Sequence, residues 1–328
     1  MNHKRNRLLP ITLNGRFYNR SRQKVHPFFW RTFYMLLVSR IKRLLARENY
    51  HEWYAPEPVV HRSIDPKITW IGHASFLVQI GGLNILLDPL FGAPSPMFNR
   101  LLPPGIALDK LPPIDVVLIS HNHYDHMDKS SLMRIKQEHN STFFVPMGDA
   151  AWFKKRGMSA VHESQWWQTH AADPAAWVHI TFLPAHHWSA RGLFDTNKSL
   201  WGSWMIEYGG YRIYFAGDTA WDDHFEQIKE HFGTIDVALL PIGPCEPQHW
   251  MKSTHLNAEQ AGRAAHTLKA RHTIAMHWGT FGFGVDHFAL PVERIKAWWQ
   301  QNEEQQQAQK LHVLKAGQSF SEKMPHNK

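Results

Sequence analysis

Hydrophobic and polar positions follow two different rhythms along this chain. Between residues 30 and 45, Trp30, Phe33, Tyr34, Leu37, Ile41, Leu44 and Leu45 recur at three- and four-residue steps, which places them on one face of a helix. Arg31, Arg40, Lys42, Arg43 and Arg47 fall on its flanks and far side, so the spacing predicts a basic amphipathic helix over 28–47. The segment before it, Met1 to Gln23, is rich in Arg, Lys and Asn with little periodicity, and reads as an extended arm. Pro56 and Pro58 mark a boundary, giving an arm and helix over 1–58 and one large domain over 59–328.

From Lys67 the rhythm shortens to apolar, β-branched runs broken by turns. Strands are expected at 68–71, 76–80, 84–87, 114–119, 142–145, 179–183, 203–208, 211–216, 237–240 and 273–275, with Leu311–Leu314 as a closing strand. Gly81-Gly82 and Gly209-Gly210 read as hairpin turns. Helical patterns cover about Lys129 onward, Ala150–Arg156, His224–Phe232, Asn257–Lys269 behind an Asn cap, and Pro291 to about Gln306. Leu90–Pro113 is a long Pro-rich loop, a kind that tends to be functional or disordered. The two halves match, each a hairpin followed by strand–helix alternation, which predicts an α/β sandwich of two sheets.

Composition narrows the partners. The apolar fraction is 43%, ordinary for a globular protein with a sizeable core. Thirty-six Lys and Arg against 28 Asp and Glu leave a net charge of +8, which favours anionic partners such as phosphate esters or an anionic membrane surface. No aromatic-rich basic module is visible, so no specific nucleic acid is expected. The single cysteine, Cys245, excludes an internal disulfide framework and suits a reducing compartment. No apolar run reaches membrane-spanning length and no signal peptide is read, so the expected place is the cytoplasm, with peripheral contact at the inner face of the membrane.

The chemistry lies where strands stop. The run Ile114–Ile119 hands over to Ser120-His121-Asn122-His123-Tyr124-Asp125-His126-Met127-Asp128. The same event recurs at His186-His187, at Gly217-Asp218-Thr219 and at Met276-His277. Ligands drawn from several strand ends converge on one rim of an α/β fold. His121, His123 and His187 supply three imidazoles to one ion, Asp125, His126 and His277 serve a second, and Asp218 has two oxygens with which to bridge them. One open position on each ion marks a catalytic rather than a structural site. Two divalent ions so placed can clamp the oxygens of a phosphodiester and supply hydroxide at neutral pH.

These segments resemble a known family. His-x-His-x-Asp-His at 121–126, followed by the later His, the Gly-Asp-Thr and the last His, is similar to the metallo-β-lactamase fold. The fuller versions at 120–128, 184–188 and 216–219, with His277-Trp278-Gly279-Thr280-Phe281, resemble the N-acyl-phosphatidylethanolamine-hydrolysing phospholipase D branch. Trp70–Ala74, Asp88-Pro89 and Trp250–His255 also fit, so the likeness spans about Lys67 to Pro291. It implies a four-layer αβ/βα sandwich and a dinuclear zinc site, with manganese or iron as alternatives. It also implies hydrolysis of the phosphodiester between phosphatidic acid and an N-acylethanolamine, by a metal-bridging hydroxide that attacks phosphorus. The metal ligands it implies are His121, His123, Asp125, His126, His187, Asp218 and His277. By the same likeness His255 lies near the ions, to meet the phosphoryl oxygens or protonate the leaving alkoxide, and Asp88 or His73 orients a ligand from behind. The family's ligand directly precedes Trp, which assigns His187 and leaves His186 as its competitor. The implied substrate is a phospholipid or other phosphodiester; the basic amphipathic pattern over 28–47 is in addition a candidate for peripheral membrane contact, the alternative being an ordinary surface helix packed on the main domain. The rival readings are a lactonase, thioesterase or nuclease on the same fold, and a non-catalytic metal-binding protein at the membrane. The sequence leaves the oligomeric state open.

Overall fold

In the computed structural model, which describes residues 7–20, 34–35, 37–42, 49–173, 177–302 and 308–324, the first element is one the periodicity missed. The expected arm contains a hairpin of β1 (Ile11–Leu13) and β2 (Arg16–Tyr18). Its turn is Asn14-Gly15, both with positive φ (51° and 66°). That geometry matches the twist of the flanking strands and is what an Asn-Gly pair selects. Next, residues 34–35 and 37–42 are helical, within the predicted amphipathic helix. Trp30, Phe33, Leu44 and Leu45 of its apolar face lie outside the described residues. Leu37 and Ile41, 50% and 48% exposed, point away from the body, whereas Met35 and Ser39 are buried and Tyr34, 52% exposed, meets the Trp250 ring edge-on at 5.9 Å. Among the described residues no helix is long and apolar enough to cross a membrane.

Two seven-stranded sheets follow. In the first, β3 (Lys67–Gly72), β4 (Ser75–Ile80) and β5 (Leu83–Leu87) run antiparallel. Parallel strands β6 (Val116–Leu118), β7 (Thr142–Pro146) and β8 (Val161–Ser164) then extend it. In the second, β9 (Gln168–Asp173), β10 (Val178–Leu183), β11 (Ser203–Tyr208) and β12 (Tyr211–Phe215) are antiparallel. There β13 (Ile235–Pro241), β14 (Ala270–Met276) and β15 (Lys310–His312) continue in parallel. The expected closing strand is therefore not the last. The chain goes on to β16 (Ser319–Ser321), which crosses back to pair with β3.

Side chains of a strand alternate between faces, and both faces of these sheets are apolar because both are covered. Ile68, Trp70, Phe76, Val78, Ile85, Leu87, Val116 and Leu118 meet the second sheet's Ile180, Phe182, Trp204, Ile206, Ile213 and Phe215 between the layers. The intervening Ile71, Leu77, Leu86, Val117, Phe143 and Val145 pack outward on Leu132 and Ile135 of α1 (Lys129–Glu138) and Phe153 of α2 (Ala150–Lys154). On the other side stand α3 (His224–Phe232), α4 (Gln248–Met251), α5 (Ala258–Leu268) and α6 (Leu290–Gln301). Of these, α5 packs on β13, β14 and α6. The result is the expected four-layer αβ/βα sandwich. The α5 start carries a full capping box between Asn257 and Gln260. The long loop 90–113 holds one short turn, Leu108–Lys110, and is pinned by Arg100, which donates to the carbonyls of Leu90 and Leu102 at 2.9 Å each.

Candidate metal centre

All the strand ends that matter open on one rim. His73 follows β3, Asp88 follows β5, His121 lies just beyond β6, His187 beyond β10, Asp218 beyond β12 and His277 directly after β14. Buried tryptophans hold these ends in place. Trp204 on β11 donates its indole N–H to the Ile119 carbonyl at 2.9 Å, joining the two sheets beneath the site, and Trp201 donates to Ala185 at 3.0 Å. Gly217 (φ 58°) brings the Asp218 turn against the Ser120 loop, where an added Cβ would sit 2.6 Å from that of Ser120. His73, Asp88 and His277 also hold left-handed backbone (φ 53°, 37° and 59°). Such conformations cost energy in residues other than Gly and cluster where geometry is dictated by function.

The sequence-predicted ligands converge. Ligand atoms of His121, His123 and His187 lie within 4.8 Å of one another, as do those of His73, Asp125, His126 and His277, and those of Asp218, His255 and His277. His123 Nδ1 sits 2.8 Å from His121 Nε2 and 3.3 Å from His187 Nε2. Asp218 reaches both groups. Its Oδ2 lies 3.9 Å from His121 Nε2, 3.7 Å from His187 Nε2 and 3.2 Å from His126 Nε2, while Oδ1 lies 3.0 Å from His277 Nε2. So many imidazole nitrogens and carboxylate oxygens turned toward one another make a donor set that suits divalent cations.

The far side of each ring is held by a partner that fixes its tautomer. His126 Nδ1 donates to Asp88 at 2.7 Å, His187 Nδ1 to the Thr254 carbonyl at 2.8 Å, and His277 Nδ1 to the Gly243 carbonyl at 2.8 Å. Each Nε2 then offers a lone pair to the centre. Asp88 also accepts from the Ser120 N–H at 2.7 Å and from the Ser120 hydroxyl, so one buried carboxylate anchors both ends of the His loop. His73 is hydrogen-bonded to Asp125 Oδ2 at 3.0 Å, which leaves the other oxygen of Asp125 for an ion. His255 Nδ1 stands 3.7 Å from Asp218 Oδ2, with its ring between those of His187 and His277. His186 turns away to pair with Asp222 at 2.6 Å, so His187 is the member of the pair in the cluster.

The residues present fit a pair of cations. His126 Nε2, His277 Nε2, Asp218 Oδ1 and His255 Nδ1 are buried without a hydrogen-bond partner among the described residues, and all belong to this cluster. No Lys or Arg among those residues forms an ion pair with Asp88, Asp125 or Asp218. Buried carboxylates require compensation of that kind. Burial pushes His187, His73 and His255 down to about 3 and His123 to about 4, and it holds His121 well below the ordinary imidazole value. These rings are therefore neutral at physiological pH, the form that can ligate a metal. Burial opposes charge on Asp125 too, but His126 and the bond from His73 outweigh it and hold that carboxyl below the ordinary range.

Three supports carried no recognisable signal in the sequence. Thr254 and Gly243 act through backbone carbonyls, which any residue supplies. Asp149 is buried behind the His loop and accepts from Asn122 Nδ2 at 3.0 Å and from Ser199 at 2.7 Å. Burial pushes its carboxyl up to about 7. In the unfolded chain it titrates near ~3.9, so the folded state holds the proton more tightly, and the stability this confers is full below about pH 4 and lost as pH rises through 7. Asp149→Asn keeps the Oδ1 acceptor and removes the ionisation. Chemical denaturation should show its advantage over wild type growing between pH 5 and pH 8, by roughly 2–4 kcal/mol. Parallel curves across that range would show that the buried charge costs nothing.

A profile described as a β-lactamase superfamily domain matches residues 83–278. The chain is 34% identical over 288 residues to the N-acyl-phosphatidylethanolamine-hydrolyzing phospholipase D 1 of Caenorhabditis elegans, covering 79% of this chain and 81% of that one. It is 36% identical over 238 residues to the mitochondrial N-acyl-phosphatidylethanolamine-hydrolyzing phospholipase D of Saccharomyces cerevisiae, covering 70% of this chain and 50% of that longer one. Among solved structures, Igni18, a metallo hydrolase from Ignicoccus hospitalis, superposes with a TM-score of 0.62 at 23% identity over 79% of this chain and 99% of its own. That last likeness speaks for the fold.

Proposed function

The chain belongs to the β-lactamase superfamily, alongside N-acyl-phosphatidylethanolamine-hydrolysing phospholipases D, and from that membership we propose that it is a dinuclear-metal phosphodiesterase acting on N-acyl-phosphatidylethanolamine or a related phospholipid. One observation supports this above the others: seven side chains from four separated segments form two ligand groups that share Asp218. When bound, the two ions supply Lewis acidity, acidifying a water molecule and offsetting charge on the phosphoryl oxygens. We assign zinc on the imidazole-rich donor set, which iron and manganese also suit.

The chain's own groups do the positioning. Asp88, Thr254 and Gly243 fix the tautomers of His126, His187 and His277, and His73 steadies Asp125. His255, held neutral by burial and unpartnered at Nδ1, is placed to donate a hydrogen bond to a phosphoryl oxygen. The test is metal analysis of the purified protein beside turnover of a soluble phosphodiester, N-acyl-phosphatidylethanolamine, a lactone and a thioester. Preference for the lactone or thioester would reassign the substrate and leave the metal centre standing.

Lipid contact belongs to the same reading. Tyr34, Leu37 and Ile41 project from a helix that also carries Arg40 and Lys42, and Arg40 reaches the Met97 carbonyl at 3.4 Å. Leu193 and Phe194, 90% and 81% exposed, tip the loop that leaves His187. Basic residues beside an apolar stripe suit an anionic lipid surface. A Leu37→Ser, Ile41→Ser double variant should bind anionic vesicles on the order of tenfold more weakly, about 1.4 kcal/mol of lost apolar burial. Its turnover of a soluble diester should be unchanged. Undiminished vesicle binding would remove this face from consideration.

A further inference from the structure

The N-terminal hairpin makes a contact that the chemistry above does not use. Asn19, one residue beyond β2, is buried and donates Nδ2 to the backbone carbonyl of His187 at 2.7 Å. Its Oδ1 has no partner among the described residues, so the bond to His187 is what burial of this amide secures. Phe17 N–H donates to the Asn197 carbonyl at 2.8 Å, and Arg16 donates to the carbonyls of Phe194 (3.2 Å) and Thr196. Asn197 closes the loop on itself through the Ser189 carbonyl at 2.7 Å. The loop 187–197 is thus gripped at both ends by residues 16–19. Its other flank holds the metal loop, where Arg191 donates to the carbonyls of Asn122 at 2.8 Å and Met127 at 2.7 Å. The hairpin is itself fastened to the body, since Leu8 N–H donates to Gln227 at 2.7 Å and Trp167 donates to the Leu8 carbonyl at 2.8 Å.

We propose that residues 7–20 form a strap that positions the His187 loop, with Asn19 a positioning residue for the ion held by His121, His123 and His187. The peptide plane at His187 sets the direction of its side chain, and a ligand displaced by about half an ångström no longer meets its ion well. Residues 7–20 are then part of the metal centre and not a detachable arm. This rests on the two-ion reading given above.

The experiment is zinc titration of the full chain against a chromophoric chelator, read as two binding steps. His123→Ala and His277→Ala assign the steps, since each removes a ligand of one ion. Asn19→Leu keeps the volume and loses the donor. It should weaken the His121/His123/His187 step by roughly 10–100-fold, as loss of a supporting bond behind a ligand does, and leave the other step and the melting temperature near wild type. If neither step moves, or both weaken together with a lowered melting temperature, the strap is overturned. Should Asn19→Leu fail to fold, Arg16→Met, at a half-buried position, must weaken the same step selectively or the proposal falls. A wild-type chain that takes up no zinc in two steps would instead refute the two-ion reading beneath it.

Discussion

Asp218→Ala should leave a folded protein that retains less than one equivalent of metal and turns over phosphodiesters at least about 10⁴-fold more slowly than wild type. The reason is geometric. Among the described residues, Asp218 turns its oxygens toward both ligand groups, with Oδ2 toward His121, His126 and His187 and Oδ1 toward His277. On the two-ion proposal, its removal would take a ligand from each ion together with the negative charge that offsets their mutual repulsion. Elemental analysis of dialysed protein and a soluble-diester assay check the two halves separately. A variant that kept two equivalents of metal would show that Asp218 does not bridge.

Asp88→Asn should separate the two ions. Asp88 accepts from the Ser120 backbone, the Ser120 hydroxyl and His126 Nδ1, and an amide cannot accept all three. If the amide oxygen stays on Ser120, its NH₂ faces His126 and forces the imidazole into the other tautomer. Nε2 then carries a proton that points at Asp218, 3.2 Å away, where a cation would sit. The affinity of the Asp125/His126/His277 site should fall about 10–100-fold while the other ion is retained. Burial pushes the Asp88 carboxyl up, so removing its charge relieves a cost and the fold should survive. Nitrogen NMR of the histidine rings reads the tautomer directly. An unchanged His126 signal would refute the account.

The convergence at the rim was legible because His121, His187, Asp218 and His277 each come shortly after an apolar strand, and a strand's end fixes where the next residues lie. The ligand-before-Trp pattern favoured His187 over His186, and Asp222, a partner from another loop that captures His186, leaves His187 in the cluster. β9 was invisible because Gln168–Asp173 is a polar edge strand without an apolar rhythm. The β1–β2 hairpin had a signal in Asn14-Gly15, masked by the basic residues around it. The amphipathic helix shows a different limit. Periodicity identified the stripe of Tyr34, Leu37 and Ile41, but a repeat specifies a face and not what the face meets.

The return of β16 to β3 sets an order of events during synthesis. Thr69 and Ser319, 250 positions apart, share a hydroxyl hydrogen bond and a β-ladder, so the first sheet keeps an open edge until the ribosome has delivered residues 319–321. Until then β3 presents unsatisfied amides to any passing strand, a hazard for a nascent chain. The last histidine of the rim, His277, precedes this closing strand, so the sealing of the β3 edge is the later event.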